Sequence, residues 1–310
     1  MKLFELFEQK NDLASAIKQH SPDNFRALIS GSAPALYRGV HSRVLEEGNF
    51  NYDIVKERTQ PRESMTRSNL FLDFTSESKS WKSLGVDRAF STFVTVNVEN
   101  AEIFGDPFLI IPFDNVSTFA STRADFNLVT FGKNKNSISQ ISRTIGFVCT
   151  TVIQFGQKSG FFNKVLPKDF INVIKNGFIT KFRNIKHFTQ DDIKKLSDSL
   201  GALKSLPFDL EIEKLKSSGS QELAIIHLED LQSQLFTLDK MLSGKSLNDW
   251  LQFNMSPKAV GVKVFEHYQD IIVSKNAELW FRGQYIMINH ESIKIEKLYS
   301  SKEFENLMQV

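Results

Sequence analysis

The chain has 310 residues, 41% hydrophobic and 24% charged, and its 38 Lys and Arg against 36 Asp and Glu leave a net charge of +2. This composition is that of a globular protein with room for a sizeable core. The near balance of charge gives no global excess to attract a nucleic-acid backbone or an anionic membrane. Cys149, the single cysteine, excludes an intrachain disulfide and a cysteine-pair metal site, and its apolar run from Ile145 to Ile153 favours a buried structural thiol over a nucleophile.

Residues 2 to 30 carry Leu3, Phe4, Leu6, Phe7, Leu13, Ala16 and Ile17 at helical spacing, and Ser21-Pro22-Asp23 then opens a further short helix. Met1 to Lys10 lacks a basic region followed by an apolar stretch, so no signal peptide is expected. No run approaches the ~20 apolar residues of a membrane span, so a cytoplasmic protein is expected. A first strand follows at Ala35 to Val40. Glu57 to Ser68 is polar and basic, with Arg58, Arg62 and Arg67 around Pro61, and is expected to be a solvated loop.

Ala89 to Val98 forms the second strand, Asn97 to Phe104 a short helix, and Pro107 to Phe113 the most apolar strand in the chain. There are 28 phenylalanines, and Phe71, Phe74, Phe93, Phe108 and Phe113 all read as strand residues of an aromatic core. Ser139 to Phe155 fits a helix or a buried strand, and its length favours the helix. From Thr189 to Leu242 the spacing is helical: Thr189 and Asp192 suit a capping box, and Leu196, Leu200 and Leu203, then Leu228, Leu231, Leu235, Leu238 and Leu242, form core-facing stripes. Strands return at Gly261 to Phe265, Asp270 to Val273, Glu278 to Phe281, Tyr285 to Ile288 and Ile293 to Leu298. Arg282-Gly283-Gln284 is short enough for a hairpin turn.

Three short strand-like segments stand out by their order: Leu36-Tyr37-Arg38-Gly39-Val40, Ala89-Phe90-Ser91-Thr92-Phe93-Val94-Thr95 and Asn276-Ala277-Glu278-Leu279-Trp280-Phe281. They supply one arginine, one serine/threonine strand and one glutamate. In that order they resemble the arginine-serine-glutamate branch of the ADP-ribosyltransferase superfamily. The stretch from Arg62-Glu63-Ser64 through Arg88 and Ser91 to Pro112-Phe113-Asp114 is similar to phage-encoded members.

The resemblance implies an α+β fold with an ADP-ribosyltransferase-like split antiparallel or mixed sheet core: a single domain over 1–310, with an N-terminal helical segment at 1–30 and a helical insertion at 165–250. It implies a phage mono-ADP-ribosyltransferase that cleaves NAD, its substrate, and modifies a host protein or RNA in the host cytoplasm, with no metal and no membrane partner. Glu278 would stabilise the positive charge that develops on the ribose, and Arg38 would offer a planar, always charged fork to the NAD phosphates. Gly39 would allow close approach of the backbone. Ser91 and Thr92 would line the pocket and orient the glutamate, while Arg62, Arg67 and Arg88 are further candidates for anion contacts. The branch's usual Ser-Thr-Ser is here Ser91-Thr92-Phe93. Where that branch has Glu or Gln two residues before the catalytic glutamate, this chain has Asn276, which would read the acceptor.

Simpler readings stand beside these: Arg38 as a surface strand arginine, Ser91 and Thr92 as ordinary strand-edge residues, Glu278 as a solvated strand residue. Two other functions also fit the sequence. One is a non-catalytic virion or host-takeover protein that keeps the fold. The other is a nucleic-acid-directed transferase, suggested by the basic loop. Phosphate-loop, G-x-G-x-x-G, H-E-x-x-H and G-x-S-x-G patterns are absent from the sequence, and its six histidines lack metal-ligand spacing. His41, three residues after Arg38, is a candidate pocket or surface residue.

Overall fold

A computed structural model of the protein describes residues 13–41, 52–62, 69–123, 130–131, 136–156, 187–219 and 222–290. The fold is α+β, with two four-stranded antiparallel sheets and eleven α-helices among the described residues. The chain divides into two compact units. The first gathers Met1–Pro61, Ser83–Asp125 and Gly261–Val310, and the second gathers Arg62–Lys82 and Phe126–Val260.

The first unit holds both four-stranded sheets. Helix α1 covers 13–20 and α2 covers Pro22–Ile29. Pro22 suits the first helical turn, where its missing N–H costs nothing. The Ser21 side chain does not cap α2. Instead the Asp114 carboxylate accepts from the N–H groups of Asp23 and Asn24 at 3.0 and 2.9 Å. One sheet has the order β1 (Leu36–Val40), β4 (Asp106–Pro112), β10 (Tyr285–Asn289), β2 (Tyr52–Val55). The other runs β3 (Thr92–Val94), β9 (Leu279–Phe281), β5 (Phe119–Ser121), β8 (Lys263–Phe265). Strand β4 is buried from Pro107 to Pro112, as its continuous apolar run predicts for a strand flanked on both sides. Helix α5 (Val98–Glu102) starts at Asn97, whose side chain accepts from the Glu99 N–H at 3.1 Å. One core joins residues of both sheets, among them Leu36, Val94, Phe108, Ile110, Phe119, Leu279, Phe281 and Ile286.

The second unit is mainly helical, with α3 (Leu70–Glu77), α4 (Lys79–Lys82), α6 (Ile138–Gly156), α7 (Gln190–Lys204), α8 (Phe208–Ser217), α9 (Glu222–Met241), α10 (Leu247–Asn254) and α11 (Pro257–Val260). A small ladder of β6 (Thr130–Phe131) and β7 (Asn136–Ser137) precedes α6. Thr189 and Asp192 form the full capping box at the start of α7. Both leucine stripes are buried, and so is Cys149 on α6, where desolvation pushes its thiol far up from its ordinary value.

The structure departs from the sequence expectations at four places. Phe71 and Phe74 lie on helix α3, not on strands. The second strand is only Thr92–Val94, because Arg88–Phe90 closes a 3₁₀ turn ahead of it. Asp270–Val273 is no strand: a 3₁₀ turn at Tyr268–Asp270 leads into irregular chain. Arg282-Gly283-Gln284 is not a hairpin turn, since β9 and β10 belong to different sheets and the three residues carry the chain across. Gly283 makes that crossing at φ +145°, where a Cβ would meet Val116 Cγ2 at 2.5 Å. Strand β2 is missing from the sequence expectations, although Tyr52, Ile54 and Val55 are strand formers, because the run is only four residues long. The strand expected at Ile293 to Leu298, Arg67, and residues 157–186, which include the start of the expected helical insertion, lie outside the described residues.

Candidate functional site

The three motif strands are neighbours in the first unit. Strand β1 carries Arg38, and beside it Tyr37 bridges to Thr95, just past β3. Strand β3 begins with Thr92, directly after Ser91, and pairs with β9, which starts one residue after Glu278. Segments up to 240 residues apart in the sequence, as Arg38 and Glu278 are, are thus brought near one another by one bridge between the sheets and one strand pairing.

Glu278 is held from several sides. Its carbonyl accepts from Thr122 N–H at 2.9 Å, which carries the β5–β9 pairing one residue further. Its carboxylate forms an ion pair with the Arg88 guanidinium, and both side chains are largely buried, 13% and 8% exposed. Residues two apart in extended chain share a face, so Trp280 lies on the same side as Glu278. Phe93 pairs with Trp280 across β3 and β9, and the two rings stack at 6.1 Å between centroids. The Arg88 guanidinium carbon lies 4.7 Å from the Phe93 centroid and 5.5 Å from that of Trp280, within cation–π range. The result is a guanidinium held by one carboxylate and two aromatic rings.

The turn that presents Arg88 is itself braced. Asp87 Oδ1 accepts from Ala89 N–H at 2.9 Å, and the Asp87 carbonyl accepts from Phe90 N–H at 3.2 Å and from Ser91 Oγ–H at 2.6 Å. Ser91 is buried, and its hydroxyl closes this turn. Thr92, also buried, sits opposite Phe281.

Arg38 is half-buried on β1 and donates from Nη1 to the Tyr285 hydroxyl at 3.3 Å. Both residues lie on one face of their sheet, since Arg38 pairs with Phe108, Phe108 with Asn289, and Tyr285 is four residues from Asn289. The close approach at Gly39 is to α5 and the turn after it: a Cβ there would stand 2.0 Å from the Ala101 carbonyl oxygen and 2.9 Å from Phe104. Asn276 is exposed on a turn. That turn is tied down by Asn100 Nδ2, which donates to the Lys275 carbonyl at 3.0 Å, and by Ser274 Oγ, which donates to the Arg123 carbonyl at 3.1 Å.

Of the residues singled out in the sequence, Arg88 and Glu278 meet directly, Thr92 begins β3 with Ser91 just ahead of it, and Arg38 lies on β1. Arg62 belongs to the second unit. His41 is exposed. Sequence reasoning misses the aromatic pair Phe93 and Trp280 as part of the site. A signal for it is present, because Trp280 stands two residues after Glu278 and Phe93 two after Ser91.

The second unit holds a separate polar cluster that sequence reasoning also misses. Asp73 on α3 is buried, and its carboxylate accepts from Phe188 N–H at 2.6 Å and lies 2.6 Å from His187 Nδ1. Burial raises the Asp73 carboxyl from its ordinary value, and the bonds from His187 and Phe188 offset only part of that. Among the described residues no group of three His, Cys, Asp or Glu side chains could hold a metal, and no helix is long and apolar enough to cross a membrane. No family model matches the chain, and no curated protein or solved structure matches it at a significant level.

Proposed function

We propose that the protein is a mono-ADP-ribosyltransferase of the arginine-serine-glutamate type, encoded by a phage and acting on a host macromolecule in the host cytoplasm. The observation that carries this reading is that β3 pairs with β9 and that β1, from the other sheet, meets the end of β3 through the Tyr37–Thr95 bridge, which brings the arginine, serine/threonine and glutamate motifs together from distant parts of the sequence.

In the reaction, the bond between nicotinamide and ribose breaks with its electron pair leaving on nicotinamide. A nucleophilic atom of the acceptor forms the new bond to the ribose carbon and gives up its proton. Positive charge builds on the ribose as the leaving group departs, so a fixed carboxylate stabilises the transition state more than the ground state. Glu278 has that role in this reading, Arg38 contacts the anionic part of NAD, and Asn276 meets the acceptor. Ser91 and Thr92 support the strand next to the glutamate. Gly39 packs closely against α5 and the turn after it.

The test is incubation of the purified chain with NAD labelled on its adenylate half and with bacterial lysate, followed by separation of protein and RNA. Label on macromolecules with wild type, and its loss with Glu278→Gln, is the expected result. No label and no release of nicotinamide under any condition would leave the fold without this activity, as a non-catalytic interaction protein. Label removed by nuclease would assign the acceptor to RNA.

A further inference from the structure

We infer that Arg88 is a positioning residue for Glu278 and does not contact the substrate's phosphates; this rests on the transferase reading above. The direction of its guanidinium is the first ground. It points to the Glu278 carboxylate and lies against the Phe93 and Trp280 rings, so reaching a phosphate would mean leaving one carboxylate and two aromatic faces together. The second ground is burial. With 8% and 13% of their side chains exposed, solvent can replace little of what each partner gives the other, and a largely buried charge that loses its partner is strongly disfavoured. The third is the backbone, since Arg88 rides on a turn closed by the Asp87 carboxylate and the Ser91 hydroxyl.

These contacts form a relay. Ser91 fixes the turn, the turn aims Arg88, and Arg88 with its two rings sets the rotamer of Glu278. The serine therefore acts on the glutamate at one remove. An arginine suits this task better than a lysine, because its planar head can lie on the rings while Nη2 donates to the carboxylate.

The experiment measures NAD affinity by calorimetry and nicotinamide release at saturating NAD for wild type, Arg88→Ala, Arg88→Lys, Glu278→Gln and the double variant Arg88→Ala with Glu278→Gln. Arg88→Ala is expected to slow release by about 10²-fold, the scale of a misplaced catalytic group, with little change in NAD affinity. Arg88→Lys recovers part of the rate. Adding Arg88→Ala to Glu278→Gln costs no further activity, because both changes remove one function. A loss of NAD affinity with turnover unchanged would make Arg88 a phosphate contact and overturn the inference, as would losses that add in the double variant. If Arg88→Ala does not fold, Arg88→Lys carries the same comparison, and wild-type turnover by that variant overturns it. A wild type that cleaves NAD while Arg88→Ala matches it sinks only the role of Arg88. A wild type that neither binds nor cleaves NAD sinks the transferase reading as well.

Discussion

Tyr37 and Thr95 exchange both of their backbone hydrogen bonds, Tyr37 N–H to the Thr95 carbonyl at 2.7 Å and Thr95 N–H to the Tyr37 carbonyl at 2.8 Å. The exchange joins β1 of one sheet to the end of β3 of the other. Arg38 follows Tyr37 directly, and Thr95 stands three residues after Thr92, so this bridge fixes how the arginine strand lies beside the serine/threonine strand.

Glu278→Gln is expected to reduce ADP-ribosyl transfer by ~10²-fold or more, the scale for removing a main electrostatic stabiliser, while NAD binding persists. Stability also changes, because Arg88 loses its counter-charge. Removing one partner of a buried pair costs roughly 3–5 kcal/mol, and Gln should cost less than Ala since its carbonyl still accepts from Arg88. Urea unfolding of the Gln and Ala variants checks the ranking, and transfer assays check the rate.

Arg38→Lys is expected to weaken NAD binding although the charge is kept. Lysine cannot offer the planar fork and also gives up the arginine geometry that reaches Tyr285. A hydrogen bond to a charged group is worth about 1.5–3 kcal/mol, so the dissociation constant should rise by roughly ten- to hundredfold. Calorimetric titration with NAD measures it, and equal affinities would return Arg38 to a structural role.

Gly39→Ala is expected to destabilise the first unit, because the added Cβ would collide with the Ala101 carbonyl and with Phe104. Overpacking of this kind costs about 1–3 kcal/mol and sometimes more. Thermal unfolding of the variant should show a clear fall in Tm. An unchanged Tm would mean that α5 can withdraw from β1 at little cost.

The buried Asp73 carboxylate makes the stability of the second unit depend on pH. Its folded value lies above the ordinary 3.8, chiefly through burial. A carboxyl raised on folding contributes most where it is protonated in both states, below about 3.8, and that contribution is lost as pH rises through the folded value. Asp73→Asn stays neutral throughout, so the stability of wild type relative to this variant should decline as pH is raised over that window. His187 and Glu77 face the same carboxylate, and both remain in the variant. Denaturant unfolding at a series of pH values gives the slope, and a difference that does not vary with pH would remove Asp73 as its source.

Asn276→Ala is expected to reduce labelling of the host target more than the slow hydrolysis of NAD by water. The side chain is exposed on a turn two residues before Glu278, outside the buried contacts of the glutamate. Parallel assays of target labelling and nicotinamide release separate the two activities. Equal losses in both would place Asn276 with the NAD contacts.

Much of the secondary structure is legible in the sequence because the signals are local. The Thr189–Asp192 capping box, the leucine stripes of α7 and α9, the short helix expected from Asn97 and the apolar run of β4 each depend on neighbours within a few residues. The strand expectations fail where local patterns are ambiguous. Phe71 and Phe74 are three apart, a spacing that suits one face of α3, yet aromatic residues alone suggest strands. Arg282-Gly283-Gln284 has the length of a hairpin turn, and only pairing elsewhere reveals a crossing: β9 bonds to β3 and β5, and β10 to β4 and β2.

At the site, the residue types and their order are written in the sequence: Arg38, then Ser91 and Thr92, then Glu278. Which of them meet is a matter of tertiary packing. Arg88 and Glu278 are 190 residues apart, and no spacing rule connects an arginine on a 3₁₀ turn with a glutamate ahead of a strand. Their contact exists because β3 and β9 pair in the register that sets Phe93 opposite Trp280, which gives the guanidinium two rings to lie against. Gly39 shows the same division: its small size is visible in the sequence, but that the space is taken by the Ala101 carbonyl depends on how α5 packs on β1. Hydrogen-bonded registers and close packing are long-range properties of the folded chain, and they turn a list of candidate residues into an arrangement.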